Sequence, residues 1–112
     1  MKSCVVFLSK PQWEVGFPYL GFDNEQFKRQ IMGRLKEKFR DIEFTGGPTV
    51  VRYEPVEMQS IKDQVRHSDA LILYTIGFYG EPGLVKAGIE LIEMRVPTIL
   101  VNSMFGGDYL FV

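Results

Sequence analysis

The sequence predicts an α/β domain built on a parallel sheet, and two observations carry that prediction. Asp69-Ala70-Leu71-Ile72-Leu73-Tyr74-Thr75 and Pro97-Thr98-Ile99-Leu100-Val101-Asn102 are apolar runs rich in β-branched residues, and they flank a single helical period. That pattern is a strand–helix–strand unit whose two strands lie parallel and buried on both faces. The 112 residues, 46% hydrophobic and 24% charged, suffice for one core and are too few for two, so a single domain over 1–112 is expected.

The first strand is Ser3 to Leu8, an apolar run containing the only cysteine, Cys4, which reads as packed rather than reactive. A helix opens at Asp23, where Gln26 three residues later completes a capping box. Phe27, Ile31, Leu35 and Phe39 then repeat every four residues as one apolar stripe. Between strand and helix lies Ser9 to Phe22, a long loop carrying Trp13, Phe17, Tyr19 and Phe22, of the kind that serves function or contacts.

For the second strand, Ile42-Glu43-Phe44 and Val50-Val51-Arg52-Tyr53 both qualify, with Gly46-Gly47-Pro48 turning the chain between them; Thr49 to Tyr53 is the favoured choice. Pro55 suits the first turn of a second helix, in which Met58, Ile61 and Val65 face a sheet and which stops near His67 and Ser68. The third strand, Ala70 to Thr75, and the fourth, Thr98 to Asn102, are joined by a helix carrying Leu84, Val85, Gly88, Leu91 and Ile92, with Gly88 permitting close approach to the sheet.

Four strands and three helices in strict alternation imply an open, doubly wound (Rossmann/flavodoxin-like) parallel sheet of order 2-1-3-4 in three layers. Right-handed crossovers place the first helix on one face and the other two on the opposite face. One helix cannot cover four strands. The third and fourth strands are therefore expected to expose an apolar face on the first helix's side, along Leu71, Leu73, Ile99 and Val101 or their neighbours. A later helix, another domain or another subunit must cover it. With Asp108 placed to cap a further helix, the chain reads as the amino-terminal part of a longer protein.

Composition excludes several classes. Thirteen basic and fourteen acidic residues nearly cancel, and the densest basic cluster, Lys28, Arg29, Arg34, Lys36, Lys38 and Arg40, is interrupted by Glu37 and Asp41, so it reads as a solvated helix face rather than a nucleic-acid footprint. No run is long enough to span a bilayer and no signal peptide precedes the first strand, so a cytoplasmic protein is expected. The loop Leu8-Ser9-Lys10-Pro11-Gln12-Trp13 lacks the glycines of a dinucleotide site, and no Walker-type lysine loop occurs. His67, the only histidine, reads as a helix-terminal residue bonded to water or a carbonyl. Glu14, Glu54, Glu81 and Asp108 are scattered without partners at metal-ligand spacing, so no metal or catalytic residues are assigned within the chain.

Three segments, Phe78-Tyr79-Gly80-Glu81-Pro82, Ala87-Gly88-Ile89-Glu90-Leu91 and Val96-Pro97-Thr98-Ile99-Leu100-Val101-Asn102, together resemble the amino-terminal domain of the L-fucose and L-arabinose isomerases and related proteins. The Ser9-Lys10-Pro11-Gln12-Trp13 loop, with Tyr19-Leu20-Gly21 further on, is similar to the first-strand loop that such enzymes place near the sugar. The resemblance implies metal-dependent aldose–ketose isomerisation. It also implies a divalent metal, usually manganese, held by two carboxylates and a histidine from later domains, and an amino-terminal domain that completes a neighbouring subunit's pocket. The chain stops before those ligands, so it is expected to hold no cofactor and to catalyse nothing alone.

The residues expected to meet a monosaccharide are Gln12 and Trp13 for polar and stacking contacts, Phe78 and Tyr79 as pocket walls, and Asn102 and Ser103 as hydrogen-bonding groups. Each has a plainer reading. Trp13 and Phe78 equally suit loop packing or a subunit contact, and Gln12 and Asn102 suit satisfaction of backbone groups at strand ends. The expected partners are a sugar and either identical subunits or further domains, without nucleic acid or membrane. The competing class is a standalone small-molecule-binding or protein-interaction module without catalysis.

Overall fold

The structure, a computed structural model, describes residues 1–9, 23–76 and 82–102. Strands and helices alternate: β1 (Lys2–Ser9), α1 (Asn24–Lys38), β2 (Glu43–Val50), α2 (Pro55–Arg66), β3 (Ala70–Ile76), α3 (Pro82–Ile92) and β4 (Thr98–Asn102). All neighbouring strands pair in parallel and form one sheet in the order β2-β1-β3-β4. Buried centrally, β1 is enclosed from Ser3 to Ser9, which accounts for its unbroken apolar character.

Alternation along the strands divides the core in two. Cys4, Val6, Leu8, Leu71 and Leu73 pack with Met58, Ile61 and Val65 of α2 and with Leu84, Ala87 and Leu91 of α3. Val5, Phe7 and Ile76 pack with Phe27, Ile31 and Leu35 of α1 and with Ile72 and Tyr74 of β3. The Tyr74 ring stands 5.6 Å from Phe7 and 6.0 Å from Phe27, centroid to centroid, in tilted and edge-on contacts that tie α1 to the middle of the sheet.

Each helix begins where its sequence provides a start. Asp23 caps α1 by accepting the Gln26 N–H on Oδ1 at 3.1 Å. Pro55 occupies the first turn of α2, where its missing N–H costs nothing. At the other end of α2 the His67 ring nitrogen Nδ1 lies 2.7 Å from the Asp63 carbonyl, the helix-terminal role read from the sequence.

Two expectations are corrected. Gly46-Gly47-Pro48 does not turn the chain between alternative strands, because β2 runs through it from Glu43 to Val50. Gly46 and Gly47 take positive φ angles of 84° and 91°, and the register steps from Val5↔Gly46 to Phe7↔Thr49, so two residues of β2 oppose Val6 alone. This is a β-bulge, which glycines permit as readily as a turn, and Pro48 is tolerated because β2 is an edge strand. The second correction concerns Leu71 and Leu73, which are fully buried against α2 and α3. On α1's side it is Ile72 and Tyr74 that stand in register with Ile99 and Val101 of β4.

Candidate functional site

All four strands point the same way, so their carboxyl ends share one edge, the place where open α/β sheets hold ligands. Segments 10–22, 77–81 and 103–112 follow β1, β3 and β4, which are consecutive neighbours in the sheet. Their ends are level: Ser9 pairs with Ile76, and Thr75 with Asn102. From this edge β1 connects outward through α1 to β2, while β3 connects through α3 to β4 on the other side. The chain therefore diverges between β1 and β3, the point at which open α/β sheets of this kind place a ligand crevice.

Of the six residues expected to meet a sugar, Asn102 is the last residue of β4, beside Thr75. Gln12, Trp13, Phe78, Tyr79 and Ser103 lie outside the described residues. What the structure adds is a set of buried polar groups at the strand ends. Ser9, Asn24 and Thr75 are all buried. Asn24 Nδ2 donates to Ser9 Oγ at 3.2 Å, joining the first turn of α1 to the last residue of β1. Thr75 Oγ1 donates to the Val101 carbonyl at 3.3 Å and holds the β3 and β4 ends together. Polar side chains buried at these positions are satisfied within the protein, by a side chain or by backbone, and tie together the ends of the strands that carry the loops.

The sequence does not single out Ser9 and Thr75, because a hydroxyl closing an apolar run looks like an ordinary strand end, nor Asn24, which looks like one more polar residue at a helix start. The available signal was positional: Ser9 follows Val5-Val6-Phe7-Leu8, and Thr75 follows Leu71-Ile72-Leu73-Tyr74.

The most strongly interacting titratable groups lie away from this edge, between α2 and α3. Glu90 accepts Lys62 Nζ on one carboxylate oxygen and the Tyr53 hydroxyl on the other, both at 2.6 Å. The Lys62 ammonium, then the Tyr53 hydroxyl, hold the Glu90 carboxyl below the usual carboxylate range. The bond to Glu90, reinforced by burial, raises the Tyr53 phenol. Lys86 Nζ sits 4.2 Å from the Tyr53 ring centroid. This network fastens two helices. Burial raises the Cys4 thiol, which leaves it inert in the core.

Among the described residues no three His, Cys, Asp or Glu side chains stand together to hold a metal ion. No helix of the described residues is long and apolar enough to cross a membrane. The described part of the carboxyl edge thus holds neutral polar side chains that are buried and hydrogen-bonded within the protein. No protein-family model, curated protein or solved structure matches this chain.

Proposed function

We propose that this chain is the substrate-facing and oligomer-forming amino-terminal domain of a sugar (aldose–ketose) isomerase-like protein, with no catalysis of its own. In this reading the sheet is a doubly wound, three-layer domain of Rossmann or flavodoxin type. The observation that carries it is the adjacency of β1, β3 and β4, whose carboxyl ends launch the three segments bearing Gln12 and Trp13, Phe78 and Tyr79, and Asn102 and Ser103. Neighbouring strands lie about 4.8 Å apart, so the three departures span roughly 10 Å. That distance suits a monosaccharide with its hydrogen-bonding partners.

The side chains expected to meet the ligand, Gln12, Asn102 and Ser103, are neutral amides and a hydroxyl, which suit a polyol better than an anion because such groups pair with sugar hydroxyls in both directions. Manganese or another divalent metal would be held by carboxylates and a histidine of the full-length protein.

Titration of the 112-residue chain with L-fucose and L-arabinose, followed by amide and indole NMR shifts, tests the reading. Shifts confined to 10–22, 77–81 and 102–103, and weakened by Trp13→Ala, are expected. Shifts elsewhere, or none at high millimolar sugar, would overturn it. The second reading, a binding or interaction module without catalysis, is favoured by the apolar surface beside β4.

A further inference from the structure

We draw no further inference here: the strongest candidate, the open apolar groove between α1 and β4 that Ile72, Tyr74, Ile99 and Val101 line and Arg34 and Lys38 border, carries none because nothing in the structure shows what covers it.

Discussion

Tyr53 donates its hydroxyl to Glu90 across 2.6 Å and so joins the segment entering α2 to the last turn of α3. Lys62 completes the bond set on the other carboxylate oxygen. The two helices that share one face of the sheet are thereby fastened by a charge-assisted pair and a phenol rather than by apolar contact alone.

The sign of the pH dependence follows from the lowered Glu90 carboxyl. A carboxyl that ionises more readily when folded adds stability above its ordinary range and loses it as pH falls through the lowered value. Tm of the wild type should therefore fall on acidification, and Glu90→Gln should flatten that slope while lowering Tm at neutral pH. Parallel pH profiles for the two proteins would show that the bond set contributes nothing.

Gly46 and Gly47 share positive φ but not surroundings. A β-carbon on Gly46 would stand 3.1 Å from the Val5 carbonyl oxygen and 3.1 Å from Cys4 Sγ, whereas one on Gly47 meets nothing closer than 4.0 Å. Gly47→Ala should cost about 1 kcal/mol from backbone strain, and Gly46→Ala about 2 kcal/mol or more because the Val5 backbone cannot retreat. Urea unfolding of both variants measures the difference, and equal losses would remove the steric argument.

Gly88 lies in the interior of α3 beside a shallow apolar hollow. An added methyl would meet Leu8 Cδ1 at 3.4 Å and Leu73 Cδ2 at 3.8 Å, which is ordinary contact. The close approach expected of this glycine therefore leaves room for one carbon. Gly88→Ala should stabilise the chain by about 1 kcal/mol through helix propensity, raising Tm by several degrees. A lower Tm would mean that the helix must already be displaced to admit it.

Thr49 buries a hydroxyl that has no hydrogen-bond partner among the described residues. Thr49→Val replaces it with a methyl of nearly the same shape and should gain about 1 kcal/mol, whereas Thr49→Ser keeps the orphan oxygen, loses a methyl and should destabilise. Chemical denaturation of the two variants distinguishes a satisfied hydroxyl from an orphaned one.

Where the sequence could be read and where it could not follows from what each signal measures. The α1 cap at Asp23, the Pro55 start and the β4 run are local choices, and they fold as their residues dictate. Gly46-Gly47 is also local, but a positive φ serves a turn and a bulge alike, and only pairing with β1 decides between them. Alternation shows that β3 has two apolar faces without telling which parity meets α1, so the sequence leaves Leu71 and Leu73 or their neighbours open and the pairing with β4 selects Ile72 and Tyr74. In α3 the apolar residues run round too much of the helix for one stripe to be separated from another, so the sequence does not tell buried Leu84 and Leu91 from exposed Ile89 and Ile92. The Ser9–Asn24 contact spans fifteen residues and exists only because α1 lands against the end of β1. Gln12, Trp13, Phe78, Tyr79 and Ser103 lie outside the described residues, and their place at the edge rests on the strands they follow.

The central position of β1 governs the order in which the chain can assemble. Both strands that flank it are made later: the Lys2 partner in β2 is Glu43, and the Lys2 N–H waits for the Asp69 carboxylate 67 residues on. During synthesis the stretch Cys4-Val5-Val6-Phe7-Leu8, which the finished fold conceals almost completely, has no strand to pair with until β2 has emerged and lacks its second neighbour until β3 has. Such a segment, β-prone and uncharged, is the part of the nascent chain most inclined to pair with a neighbour's copy of itself. Yield at high expression rates should therefore depend on how long that strand is left waiting, more than on the stability of the finished sheet.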